Sequence, residues 1–278
     1  MTTGEKVVEV INLVSAFEEE GIPELLGVNL QINAGEVVSL VGPSGCGKST
    51  LLRLIAGVLR PKAGEIKVFG EEKIPGWSEL SLVPQDSLLL PWRTVLDNVR
   101  LPLELKGGGR GARAFRRAKD TCLKAKEALA LANLTGVDDK YPHQLSGGMK
   151  QRAALARALV GEARLLLLDE PFAALDAITR SQLHLELLRI WERTGITVLL
   201  VTHNIFEAVF LSHRVLVMRE RPGRIIGQVQ VDLDFPRSLK VLGTTGFSHL
   251  VGQVQILLEE GWGEEECRKE EEAKGDLG

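Results

Sequence analysis

The residues with the clearest chemistry are Gly42-Pro43-Ser44-Gly45-Cys46-Gly47-Lys48-Ser49-Thr50, a complete G-x-x-x-x-G-K-[ST] pattern. A triphosphate near neutral pH carries several negative charges, so a site for it needs backbone donors and a compensating cation. The glycines of residues 42–47 let successive N–H groups face one point as an anion-binding nest. A helix starting there adds its positive end. Lys48 then reaches the β- and γ-phosphates, and the Ser49 hydroxyl suits Mg²⁺. Far downstream, Leu165-Leu166-Leu167-Leu168-Asp169-Glu170-Pro171 reads as an apolar strand that delivers two carboxylates at its C-terminal end. Ligands sit at that edge in open α/β sheets. Asp169 suits a second Mg²⁺ contact, and Glu170 suits a general base toward an attacking water.

Three further features fit the same chemistry. Gln85 follows the strand-like Leu80-Ser81-Leu82-Val83, and its amide can reach Mg²⁺ or the water. His203, just past Thr197-Val198-Leu199-Leu200-Val201, can donate to the γ-phosphate. Alone, such a glutamine is ordinarily solvated and such a histidine ordinarily structural; the phosphate loop gives both a purpose. Leu145-Ser146-Gly147-Gly148-Met149-Lys150-Gln151 opens a helix with Ser146 as candidate N-cap. Ser146, Gly147 and Gly148 thereby form a second anion-binding helix end. One chain does not need two such ends for one γ-phosphate, so this one is expected to cover the nucleotide of a second, antiparallel copy.

The elements that must hold these residues follow from the apolar periods. Residues 7–13 and 26–32 alternate as half-buried antiparallel strands do. Val37-Val38-Ser39-Leu40-Val41 is a buried strand leading into the loop, and Leu51, Leu52, Leu54, Ile55, Val58 and Leu59 fall at helical spacing after it. Strand, loop and helix is the context a phosphate loop needs. Residues 87–160 turn helical, interrupted by Gly107-Gly108-Gly109-Arg110-Gly111 and resuming as a basic, Ala-rich helix over 113–131. Residues 165–168 and 197–201 read as buried parallel strands around a helix carrying Leu183, Leu185, Leu187, Leu188 and Trp191. Residues 215–218 and 225–231 read as closing strands around Arg221-Pro222-Gly223. From Glu259 the tail is acidic and expected to fray.

The bulk composition excludes several classes. The chain has 278 residues, 26% charged and 44% hydrophobic, as ordinary globular proteins do. A net charge of −3 argues against a dedicated nucleic-acid binder. No run approaches the roughly 18 apolar residues of a membrane span, and the N-terminus lacks the apolar core of a secretion signal, so a cytosolic protein is expected. Cys46, Cys122 and Cys267 match neither a disulfide framework nor a zinc pattern and are read as reduced.

Phosphate loop, Gln85, the 145–151 signature, Asp169-Glu170, Ala174-Leu175-Asp176 and His203 stand in the order and approximate spacing of ABC ATPase domains. The resemblance covers roughly residues 7–235. It implies an α/β P-loop NTPase fold: a mixed-sheet core, an N-terminal antiparallel β subdomain and a helical signature subdomain at about 87–160. Residues 1–245 would form the ATPase domain and 246–278 a C-terminal extension with an acidic tail. In that family two domains clamp two ATP at their interface, as a homodimer or with a paired ATPase subunit, and closure drives membrane permease subunits. Phe17 then resembles the aromatic that stacks on adenine, Asp176 a dimer-contacting aspartate, and Lys150 stands where arginine is common.

Leu88-Leu89-Leu90-Pro91-Trp92-Arg93 crowds apolar residues into a loop beside Gln85, either to anchor the helical subdomain or to dock a permease helix. That stretch, with Arg221-Pro222-Gly223-Arg224-Ile225, is similar to importers of nitrate, sulfonates, taurine and related solutes. The resemblance implies a peripheral subunit on the cytoplasmic face of the membrane, with an extracytoplasmic solute-binding protein as indirect partner and no nucleic acid. The competing reading is a soluble ABC-type ATPase of nucleic-acid or cluster-assembly machinery. It would require a basic groove, a coiled-coil insertion or duplicated ATPase halves, none of which is evident.

Overall fold

The computed structural model describes residues 4–15, 23–72, 79–106, 112–220 and 222–275, with side chains omitted for 112–118 and beyond 260. By internal contacts the chain forms two compact units, Met1–Ile74 with Leu199–Gly278, and Pro75–Val198. In the first unit β1 (Lys6–Ser15) pairs antiparallel with β2 (Leu25–Asn33), Val10 opposite Leu30. Strand β2 buries alternate residues, as its sequence period requires. Strand β3 (Val37–Val41) is buried throughout and runs into the phosphate loop, which α1 (Lys48–Ile55) follows. Strand β4 (Ala63–Val68) joins the other edge of β1 to complete a three-stranded sheet. Its residues Ala63-Gly64-Glu65-Ile66-Lys67-Val68 carry little apolar signal, so its partner rather than its composition makes it a strand.

The second unit contains β5 (Leu80–Val83), α2 (Val95–Leu105), α3 (Ala112–Leu131), α4 (Gly147–Leu159), β6 (Leu165–Asp169) and α5 (Ala177–Thr194). β5 and β6 pair in parallel, Leu80 opposite Leu165 and Val83 opposite Leu168. The three helices α2, α3 and α4 share a core of Val95, Val99, Ala125, Leu129, Ala153 and Ala156. The Gly107–Gly111 loop expected between α2 and α3 lies outside the described residues. Asn133 donates to Glu186 Oε1 at 3.0 Å, and Arg152 grips the same carboxylate with Nε at 2.7 Å and Nη2 at 2.9 Å. Helices α4 and α5 are therefore tied by a bidentate pair, the strong form of such contacts.

β7 (Thr197–Thr202), α6 (Ile205–Leu211), β8 (Arg214–Arg219), β9 (Arg224–Gln230) and α7 (Thr245–Gly275) complete the chain. β3 pairs in parallel with β8 and β8 antiparallel with β9, a mixed arrangement. Helix α7 corrects one expectation: the acidic tail continues as helix to Gly275 rather than fraying from Glu259. Glutamate, lysine, arginine and alanine are good helix formers, and their propensity outweighs the charge run. The start of α7 is anchored by buried Phe247, Val251 and Val254.

Between β9 and α7, Arg237 is only 4% exposed. Its Nη1 donates to the carbonyls of Val209, Phe210 and Ser212 at 3.0, 2.9 and 2.8 Å, capping the end of α6. Its Nη2 donates to Leu233 O at 3.0 Å, and its guanidinium lies 4.0 Å from the centre of the Phe235 ring. Burial lowers its pKa to about 10.

The His213 ring lies against Phe235 with ring centres 4.8 Å apart, and its Nδ1 accepts the Val37 N–H at 3.0 Å. That bond requires a neutral ring, and burial together with the Arg237 charge holds His213 below the usual imidazole pKa. The unfolded ring gains a proton below about pH 6.5 that the folded ring resists. Stability from this group is therefore complete above that pH and lost as pH falls through the folded value. The urea midpoint of the wild-type protein should drop as pH falls below about 6.5, and His213→Gln should flatten this part of the profile.

Candidate nucleotide site

In the first unit, β3 ends at Val41 and the next residues turn back on themselves to start α1. Gly47 caps the helix with φ 95°, a left-handed value that side chains disfavour, and a Cβ there would meet Leu25 Cδ2 at 2.5 Å. A Cβ on Gly42 would lie 2.5 Å from Met218 O. Side chains at these positions would strike the protein packed against the loop, so the glycines keep its backbone in the shape of an anion-binding nest.

Lys48 is 5% exposed, and its Nζ donates to the carbonyls of Gly42 at 2.8 Å and Pro43 at 2.6 Å. Cys46 Sγ lies 3.7 Å from the same ammonium, yet burial pushes its thiol pKa up. It is a packed side chain rather than a reactive one. Ser44 and Gly45 are exposed and Ser49 half-buried, while Thr50 is buried. His203 is exposed, immediately after the buried strand β7, and Asn204 then caps α6 by accepting from Glu207 N.

The second unit gathers the remaining candidates. Asp169 is buried at the end of β6, a strand without an exposed residue. Glu170 follows in a left-handed conformation, φ 44°, a strained state that persists where the surroundings impose it and that is common at functional sites. Gln85 lies exposed in the loop after β5. Ser146 caps α4 as expected, accepting from Met149 N at 3.3 Å, with Gly147 exposed beside it.

A Cβ on Gly148 would meet Thr179 Cγ2 at 2.5 Å, so the signature packs directly on the first turn of α5. Asp176 caps that turn, accepting from Ile178 N at 3.1 Å, Thr179 N at 3.0 Å and Thr179 Oγ1 at 2.7 Å. The Thr179 bonds hold its carboxyl below the usual range. Signature and Asp176 are thereby brought together. Phe17 lies outside the described residues.

Two residues of this unit carry no chemical motif and were missed in the sequence. Asn98 is fully buried; its Oδ1 accepts from Leu90 N at 2.7 Å and its Nδ2 donates to Leu90, Arg93 and Thr94 carbonyls. Arg157 on α4 donates to Leu88 O and Ser87 O, both at 2.7 Å. Together they pin the loop after Gln85.

The family model described as ABC transporter matches residues 25–173. The chain belongs to that family. An uncharacterized ABC transporter ATP-binding protein of Methanocaldococcus jannaschii is 47% identical over 232 residues, 82% of this chain and 84% of that protein. An aliphatic sulfonates import ATP-binding protein of Rhodopseudomonas palustris is 44% identical over 250 residues, 90% of this chain and 82% of the relative. A taurine import ATP-binding protein of Pseudomonas entomophila is 42% identical over 226 residues, 81% of this chain and 84% of the relative.

Among solved structures, a dimeric post-hydrolysis state of an ATP-binding cassette bound to ADP and Pi is similar with TM-score 0.70 and 32% identity, over 82% of this chain and 100% of that one. This ABC transporter ATPase accordingly binds and hydrolyses ATP. Among its described residues no helix is long and apolar enough to cross a membrane. Lys48→Ala should weaken ATP binding by about tenfold or more, the loss of a bond to a charged group, as read by titration calorimetry.

Proposed function

We propose that this chain is the ATP-hydrolysing subunit of an importer, energising uptake of a small solute such as a sulfonate, taurine or nitrate through membrane permease subunits. The relatives named for sulfonate and taurine import support the solute class. The observation that carries the permease reading is the loop after Gln85. Trp92 is 71% exposed and Leu88 64%, on a segment that Asn98 and Arg157 hold rigid. An ordered, exposed apolar surface is costly in water and suits a partner's apolar face.

In this reading Lys48 and the backbone N–H groups of residues 42–50 hold the phosphates. Phe17 stacks on adenine. The Ser49 hydroxyl, the Gln85 amide oxygen and the Asp169 carboxylate are the hard oxygen donors that suit Mg²⁺. When bound, that ion neutralises charge developing on the phosphoryl oxygens. Glu170 accepts a proton from the attacking water, and His203 donates to the γ-phosphate and orients that water. Ser146, Gly147, Gly148 and Asp176 face a second cassette, so hydrolysis is tied to pairing. The dimeric relative supports this arrangement. The chain then acts at the cytoplasmic face of the membrane, and an extracytoplasmic binding protein selects the solute.

Glu170→Gln should retain ATP binding, lose at least about a hundredfold in hydrolysis, and run as a dimer in Mg-ATP by size exclusion with light scattering; a monomer alone would contradict the clamp. Trp92→Ala should leave ATP affinity unchanged while reducing the permease recovered with the tagged chain from detergent-solubilised native membranes. Equal recovery would remove the docking assignment.

A further inference from the structure

We propose that Glu24 recognises the sugar of the bound nucleotide, its carboxylate accepting a hydrogen bond from a ribose hydroxyl and favouring ribonucleotides over deoxyribonucleotides. Glu24 stands directly before β2, in the same unit as the phosphate loop, and it belongs to none of the motifs that mark the site. Its backbone is fixed on both sides: its N–H donates to Ser15 O at 2.8 Å, and its carbonyl accepts Gly223 N–H at 2.8 Å. Its side chain runs along the loop, with Cγ 3.4 Å from the position a Cβ on Gly47 would take. Thr50, the last residue of the phosphate motif, donates its hydroxyl to Glu24 Oε1 at 2.8 Å.

The second carboxylate oxygen, Oε2, is buried and has no hydrogen-bond partner among the described residues. A buried acceptor without a donor is costly, and more so when it carries charge. The missing donor cannot be a phosphate oxygen, which would repel a carboxylate. A neutral or cationic donor carried by a ligand would satisfy it. A nucleotide seated with its phosphates on residues 42–50 brings its ribose within a few bonds of the loop, and the sugar hydroxyls are donors of the required kind. An acidic side chain accepting from ribose hydroxyls is a recurrent solution in dinucleotide sites. Thr50 has a single hydroxyl proton; giving it to Oε1 fixes the carboxylate and leaves Oε2 to the sugar.

The inference rests on the placement of the phosphates in residues 42–50, so the test carries Lys48→Ala alongside. Titration calorimetry with ATP, 2′-deoxy-ATP and 3′-deoxy-ATP should show the wild-type protein binding ATP about tenfold tighter than at least one deoxy analogue, as expected for a bond to a charged acceptor. Glu24→Ala should lose about that factor for ATP and bind all three nucleotides alike. Glu24→Gln, which keeps the volume and an accepting oxygen, should show a smaller preference than the wild type. Equal binding of the three nucleotides by the wild-type protein would overturn the assignment, as would a preference that survives both Glu24 substitutions. An ATP affinity that rises in Glu24→Ala would overturn it too, because the carboxylate would then act only as a repulsive charge. Full ATP affinity in Lys48→Ala would instead overturn the phosphate placement beneath it.

Discussion

A lysine ammonium enclosed by the carbonyls of its own loop is the interaction around which this site is built. A buried cation is tolerated only when its donors are satisfied, and Lys48 meets that condition through Gly42 O and Pro43 O. Those carbonyls must therefore turn toward the lysine, which leaves the following N–H groups to turn toward a ligand. The geometry in turn constrains what surrounds it. β3 must be rigid and dry to deliver residue 42 at one place, and it is buried along its full length and paired with β8 from Val38 to Val41. The neighbouring chain also comes so close, at Met218 O beside Gly42 and Leu25 beside Gly47, that the glycines are set by packing as well as by ligand chemistry.

The parts of the site legible in the sequence were those where residue identity and spacing carry the chemistry: the phosphate loop, the Asp169-Glu170 pair at a strand end, and Ser146 as a helix cap. The strands β1, β2, β3 and β6 were legible for a different reason, since their apolar periods match burial on one face or on both. What stayed hidden depends on partners distant in sequence. β4 is a strand because β1 offers an edge, and α6 is too short to show a period. Asn98, Arg157 and Glu24 are ordinary polar residues until the fold places carbonyls, a loop and a hydroxyl within their reach. The tail was misjudged because charge suggested solvation while helix propensity, a weaker signal by eye, prevailed.

Helix α4 links much of the second unit. Its first turn presents Ser146 and the exposed Gly147, its middle holds Glu186 on α5 through Arg152, and its end holds the loop after Gln85 through Arg157. A displacement of the Leu88–Trp92 surface therefore has a short covalent and hydrogen-bonded route to the signature and to Asp176. Such a route is contiguous hydrogen bonding and packing; energetic coupling requires in addition an element with two arrangements that both places bias.

Arg237 gives the segment beyond β9 a meaning of its own. By filling the carbonyls at the end of α6, it makes the short helix that follows His203 dependent on residues encoded far downstream. The stretch from β9 to Phe247 cannot be removed without opening that cap, because it closes the helix that β7 leads into.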